Sequence, residues 1–478
     1  MTLTSTAIQP QLSARRRQLV LGICCLSLLI VGMDVTIVNV ALPSIRADLH
    51  ASVSGLQWTI DAYTVVLASL LILSGSTADR FGRRRTFQIG LTLFTIGSLL
   101  CSIAPGLGLL VAFRMLQAVG GSMLNPVAMS IVTNVFTDPR ERARAIGIFA
   151  SVVGISLGVG PVVGGVLVET IGWRSIFWVN VPIGVAAFVL AAIFVPESKA
   201  ARPRPLDPVG QLLVIVVLGS LVSAIIEAPR PGNSGLVWGL AAVCVTALVA
   251  LLRYESRRTD PLIELVFFRS VSFSGATLTA VCAFAALSAF LFLNTLYLQD
   301  VRDLSPLHAG LFLLPMAAMT AICAPVSGRL VASRGPRLPL VIAGTAMCLG
   351  ALPLTQLSNH SDYGLLLACY LVFGLGFGLV NAPITNTAVS GMPRSRAGVA
   401  AAIASTSRQV GASLGVAVVG AVVSTAAGAG IRTQFAHASH VGWWIVASCG
   451  AAVLVLALVS TGRWAAASAR QVAGLLDD

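Results

Sequence analysis

Apolar runs separated by short polar or Pro/Gly turns repeat along the whole chain, near residues 18–42, 56–78, 87–104, 107–135, 143–168, 175–195, 209–228, 236–253, 271–299, 308–332, 338–357, 363–391, 397–426 and 441–463. A helix rises about 1.5 Å per residue, so about 20 apolar residues cross roughly 30 Å of hydrocarbon. The runs approach or exceed that length, and they predict an all-α polytopic membrane protein with 14 transmembrane helices. The polar start lacks the small-residue cleavage pattern of a signal peptide, so the first run reads as a retained span.

The basic residues set an orientation. With both termini in the cytoplasm, that side holds 24 of the 31 Lys and Arg, in clusters such as Arg15, Arg16, Arg17 and Arg83, Arg84, Arg85. The opposite loops hold only Arg46, Arg174, Arg230, Arg302 and Arg432, and Arg114 and Arg408 lie inside spans. Cytoplasmic loops collect Lys and Arg, so this asymmetry favours both termini inside.

The pattern also repeats at long range. "NPVAMSIVTNVFTDPRERARA" from Asn125 resembles "NAPITNTAVSGMPRSRAGVA" from Asn381, and "VGISLGVGP" from Val153 resembles "VGASLGVAV" from Val410. A weaker echo links "GSTADRFGRRR" at Gly75 with "GRLVASRGPR" at Gly328. The expected organisation is a tail (1–17), a six-helix bundle (18–195), a linker (196–208), two inserted helices (209–253), a second linker (254–270), a second six-helix bundle (271–463) and a tail (464–478). Parallel repeats of this kind place a shared site between two bundles near the membrane midplane.

Composition narrows the classes. Of 478 residues 56% are hydrophobic and 10% charged, against roughly 25% charged in soluble proteins. The net charge of +13 suggests nucleic acid only if a basic aqueous domain exists, and no polar segment is long enough to form one. The nine cysteines all fall in apolar runs without metal-ligand spacing, so neither a disulfide framework nor a metal site is expected. Lysine occurs once, at Lys199, in an alanine- and arginine-rich chain that points to a GC-rich bacterial genome.

Ionisable groups inside the membrane are costly, at least about 2.5–3.5 kcal/mol for a central carboxylate, and so mark function by default. Asp34, Asp61 and Arg114 fall at similar depths and are candidates for a proton-coupling cluster, in which a proton or a cationic substrate binds at Asp34 and Asp61; a static Asp–Arg pair that holds helices together is the alternative. Arg114, Gln117, Gly121 and Asn125 share one face of the fourth span and either line a cavity or pack. In the second half Phe284, Phe290, Asn294, Tyr297, Phe373, Phe377, Asn381 and Asn386 are candidates to receive an apolar ligand. Arg408 has no embedded acid near it in the second half, so an anionic ligand group, a carbonyl or an acid of the first half must satisfy it; it is a candidate substrate-binding residue whose role, like that of Glu227 near the end of the seventh span, stays open. Gly147, Gly154, Gly158 and Gly165 share a face of the fifth span, which suits either sliding or tight static packing, with Pro161 able to kink the helix.

Several motifs together carry a family resemblance. "GSTADRFGRRR" after the second span, "LVAFRMLQAVGGSML" in the fourth and "SLGVGPVVGG" in the fifth resemble signatures of the major facilitator superfamily. "MDVTIVNVALP" and "WRSIFWVNVPIG" resemble its fourteen-span drug/proton antiporter branch. Three positions depart from the pattern: Ala118, Ser156 and, in the second half, Ala332 where an aspartate is usual. The resemblance implies a gating contact made by Asp79, Arg80 and Arg83, and a flexing helix at Gly158 and Pro161. It further implies proton-coupled export of lipophilic, cationic drugs across a bacterial plasma membrane by a monomer, with lipids, protons and small molecules as partners and no cofactor. No nucleotide-binding Gly-rich loop occurs, which argues against direct ATP coupling. An exporter of an endogenous metabolite, a non-transporting membrane sensor or assembly protein and, more remotely, a membrane enzyme are the rivals.

Overall fold

The computed structural model describes residues 13–200, 205–258, 260–390, 392–393, 396–427 and 431–477. Residues 1–12 of the expected tail, Arg202, Arg204 and Arg394 lie outside the described residues, as does the side chain of Arg432. Among the described residues all regular structure is helical: α1 Ala14–Leu49, α2 Val53–Phe81, α3 Arg83–Ser102, α4 Leu107–Val135, α5 Pro139–Thr170, α6 Ser175–Trp178 and α7 Asn180–Phe194. Two helices follow, α8 Pro208–Glu227 and α9 Ser234–Glu255. The second set comprises α10 Val271–Leu296, α11 Pro306–Phe312, α12 Leu314–Arg334, α13 Arg337–Ala351, α14 Tyr363–Val389, α15 Ala397–Ala427, α16 Ile431–Ser460 and α17 Arg463–Asp477.

Each apolar run of the sequence coincides with a helix or with two consecutive helical segments. Thirteen such stretches are long and apolar enough to cross a membrane. The helix that falls short is α3, in which Gln88, Thr92, Thr95, Ser98 and Ser102 dilute the apolar content. The expected count of fourteen is therefore thirteen by length and apolarity among the described residues. A second difference lies at the C-terminus, where the expected tail forms the amphipathic helix α17. Ala465, Ala469 and Val472 are buried on one of its faces, and Ser468 Oγ accepts from the Val271 amide at 3.0 Å.

Local chemistry sets several boundaries. Ser52 caps α2 by accepting from the Gly55 amide, Asp138 caps α5 and Asp207 caps α8, in the last two cases with proline just inside the helix. The break between α2 and α3 is Gly82 at φ +115°, and its counterpart between α12 and α13 is Gly335 at φ +78°. Both need the positive φ that glycine supplies without Cβ strain.

The helices sort into two like sets by contact. α1 packs on α4, α5 and α7 much as α10 packs on α14, α15 and α16, while α4 packs on α2 and α3 as α14 packs on α12 and α13. Two seams join the sets, α2 against α15 and α5 against α11 and α12. Gly154, Gly158 and Gly165 lie at the second seam. A Cβ at Gly158 would stand 3.2 Å from that of Ala317, and one at Gly165 would stand 2.5 Å from Leu307 Cα. Gly147, the fourth glycine of that face, has open space beside it. α8 lies along the first seam, touching both α2 and α15, and its Gln211 donates to the Ser69 carbonyl at 2.5 Å.

Candidate functional site

The embedded charges of α1 and α4 meet. Arg114 Nη1 lies 2.5 Å from Asp34 Oδ2, with both side chains almost wholly shielded from solvent, at 2% and 0% exposure. Asp34 Oδ1 accepts from Gln117 Nε2 at 2.8 Å and from Asn180 Nδ2 at 3.0 Å. Arg114 also donates to Gln117 Oε1 at 2.6 Å and, through Nε, to the Thr59 carbonyl at 3.2 Å. Its guanidinium lies 4.2 Å from the Tyr63 ring centroid and 5.7 Å from that of Phe177. Ser98 closes the node by accepting from Gln117 Nε2 at 2.7 Å. A buried ion pair survives only when hydrogen bonds satisfy its remaining polar atoms, and here five elements (α1, α2, α3, α4 and α7) supply them.

The repeat provides an internal comparison. Asn125 and Asn381 are 256 residues apart, and the same step carries Arg114 to Tyr370. Tyr370 donates to Asn294 Oδ1 of α10, one turn beyond Phe290, the position that the same step gives for Asp34; helices one and four of the second half are thus joined by a neutral pair and those of the first half by a charged one. Phe290 stacks on Phe373 at 4.3 Å and meets Tyr370 and Trp443 edge-on at 5.2 and 5.5 Å. Phe290, Asn294 and Tyr297 are thus buried in the packing of the second half, and Tyr297 Oη donates to the Ser358 carbonyl at 2.7 Å. Phe284 and Phe377 meet edge-on at 5.2 Å, with Phe284 partly accessible.

Asp61 stands apart from that node. It is fully buried at the α2–α15 seam, where Oδ1 accepts from Ser413 Oγ at 3.0 Å and from Thr64 Oγ1 at 3.4 Å; Oδ2 has no hydrogen-bond partner among the described residues. Gln57 crosses the same seam to donate to the Ala417 carbonyl at 2.8 Å. At that end of the bundle, remote from the α2–α3 loop, Arg46 also pairs with Asp300 at 2.7 Å and Gln299 donates to the Val40 carbonyl at 2.8 Å. Both acceptor and donor on α10's side come from a π-helical turn, Tyr297–Val301, that turns them toward α1.

The remaining expected residues distribute as follows. Asn125 and Asn381 are partly accessible, and Asn125 Oδ1 has no partner among the described residues. Arg408 donates to Thr385 Oγ1 of α14. Asp79 pairs with Arg83 at 2.9 Å, and the loop docks on residues 195–200 of its own half: the Arg84 amide donates to Glu197 Oε1 at 3.1 Å and the Ala200 amide to the Asp79 carbonyl at 3.1 Å. Arg80 is exposed. Glu227 binds Arg230 at 2.7 Å, Asn233 at 2.8 Å and Trp58 Nε1 at 3.3 Å, which ties α8 to α2. Sequence reasoning did not single out Asn180, Ser98, Tyr63, Thr59 or Ser413. Asn180 alone carried a signal, as an amide inside the apolar stretch "WVNVPIG".

Residues 24–416 match the family model of the Major Facilitator Superfamily. The chain belongs to that superfamily. This facilitator is 38% identical over 404 residues to the multidrug resistance protein Stp of Mycobacterium tuberculosis, a match that covers 84% of this chain and 74% of the relative. It is 36% identical over 413 residues to the tetracenomycin C resistance and export protein of Streptomyces glaucescens, covering 86% and 77%. With the methylenomycin A resistance protein of Streptomyces coelicolor it shares 33% over 396 residues, covering 82% of each. Among solved structures, a D-xylose–proton symporter superposes with a TM-score of 0.64 at 14% identity, covering 92% of this chain and 96% of that one, a likeness of fold.

Proposed function

We propose that this facilitator exports lipophilic, drug-like compounds across a bacterial plasma membrane in exchange for protons, by alternating access between its two helix sets, with both termini cytoplasmic. Relatives named for multidrug resistance and antibiotic export support the substrate class. The observation that carries the coupling is the asymmetry between the halves. Where Asn294 and Tyr370 join the first and fourth helices of the second half without charge, Asp34 and Arg114 join those of the first half through an ion pair. Packing alone does not call for that charge, because the neutral pair performs the joining role on the other side.

In the conformation described, the Asp34 node is shut off from water beneath the Arg46–Asp300, Gln299–Val40 and Gln57–Ala417 contacts. Release of these contacts opens the remote end, separates Asp34 from Arg114 and lets a proton neutralise the carboxylate. Asp61, held by hydroxyls instead of a cation, is the second exchangeable carboxyl; Asn125, Phe284 and Asn381 line the substrate path, and Gln117 and Phe377, buried in this conformation, join it when the contacts open. Asp79, Arg80 and Arg83 act at the opposite gate, and the Gly158–Pro161 face moves against α12.

The test is uphill efflux of rhodamine 6G from proteoliposomes carrying a proton gradient. The wild-type protein moves the dye and Asp34→Asn does not, while Asp61→Asn loses cationic substrates selectively. Retained uphill efflux in Asp34→Asn sinks the coupling, and no gradient-driven movement by the wild-type protein sinks the exporter reading.

A further inference from the structure

Arg408 is the one embedded cation that the exporter reading leaves without a task. It sits 11 residues from the Ala397 start of α15, or about 16 Å along the helix, and is partly accessible to solvent at that depth. Among the described residues its one hydrogen-bond partner is Thr385 Oγ1, to which Nη2 donates, and Nε is shielded from solvent with no acceptor there. No carboxylate among the described residues pairs with Arg408. Between residues 271 and 463 the acids are Asp300, Asp303 and Asp362, all at the end remote from the α2–α3 loop. Asp61 approaches α15 at Ser413, and five residues at about 100° each turn that face some 140° from Arg408.

An arginine presents five N–H donors in a planar fork that matches a carboxylate bidentately. Thr385 fixes this fork. Its hydroxyl donates to the Asn381 carbonyl at 3.2 Å and accepts from Arg408, so the guanidinium is aimed while Nε and Nη1 stay unspent. Thr385 and Asn386 beside it are exposed and Asn381 is partly so, which makes the surroundings polar.

The geometry points to Arg408 and Thr385 as an anion subsite, so that the exported compounds include lipophilic acids bound through a carboxylate or an equivalent acidic oxygen. This rests on the exporter reading and changes its substrate class, since the cationic preference expected from the Asp34 and Asp61 charges does not extend to this part of the path.

The test compares binding of dansylglycine with that of its methyl ester, two fluorescent probes that differ only in the carboxylate, to purified full-length protein. The acid binds roughly tenfold more tightly than the ester to the wild type, as one charge-assisted hydrogen-bonded pair provides. Arg408→Gln removes the preference, Arg408→Lys keeps part of it, and Thr385→Val reduces it. No preference for the acid in the wild type, absence of binding included, overturns the subsite, as does a preference that survives Arg408→Gln. Rhodamine 6G efflux by the same preparations separates the two claims: efflux without acid preference fails the subsite alone, and acid preference without efflux fails the exporter alone.

Discussion

Neutralising Asp34 and Arg114 singly and together separates the structural from the functional role of their ion pair. In Asp34→Asn, Gln117, Asn180 and the Thr59 carbonyl keep their geometry, but Arg114 is left as a buried charge at 2% exposure with no counter-ion. Breaking one side of such a pair costs about 3–5 kcal/mol, which is about two to three and a half orders of magnitude in the unfolding equilibrium. Arg114→Gln strands Asp34 in the same way and costs a similar amount. In the double variant no charge is stranded, as none is in the Asn294–Tyr370 pair, so the loss falls well below the sum and a coupling energy of about 3 kcal/mol remains. Reversible unfolding in mixed detergent and SDS micelles measures each corner of this cycle. Additive losses would refute the claim that the two charges are stabilised by each other. The functional half is checked on the same samples: the double variant is folded and inactive in proton-driven efflux, and uphill transport by it would show that the charge has no coupling role.

The seams offer further checks. Gly165→Val forces side-chain atoms into the Leu307 backbone, where even a Cβ would stand 2.5 Å from Cα, so the remote end opens; in a background without native cysteines, a cysteine at Gln299 labels faster with an impermeant maleimide, and unchanged labelling contradicts the sliding face. Ser413→Ala removes a donor from the buried Asp61 carboxyl, with an expected loss of about 1–3 kcal/mol in the same micelle assay; no loss means that the hydroxyl does not serve Asp61. Gly82→Ala places a β-carbon at φ +115° and 2.6 Å from Glu197 Oε1, so it costs about 1–3 kcal/mol, and a neutral effect would show that the α2–α3 loop does not need its observed turn.

Apolar periodicity was enough to place nearly every helix, because a bilayer imposes length and apolarity on each crossing independently of its neighbours. The same criterion leaves α3, placed as a helix by the sequence, short of a span. Its Ser98 and neighbouring hydroxyls lower its apolarity, yet Ser98 is spent inside the bundle, on Gln117. α17 escaped notice because its apolar positions, Ala465, Ala469 and Val472, are small and spaced for one face, which marks a helix lying on a partner and not a span.

The sequence by itself determined that Asp34, Asp61, Arg114 and Arg408 are embedded, that two halves repeat, and that a glycine face runs along α5, since each of these follows from distance along the chain. Only the tertiary structure decided which charges meet. Equal depth left Asp34, Asp61 and Arg114 in one expected cluster, but depth fixes one coordinate of three, and rotation of α2 against α15 sends Asp61 to Ser413 while Arg114 turns to Asp34. It also decided that Asn294 and Tyr370 join the first and fourth helices of the second half without charge, and that Arg408 faces Thr385 with donors to spare. Hydrogen bonds form across helices far apart in sequence, and their partners are set by how the helices are turned and packed, which local composition does not encode.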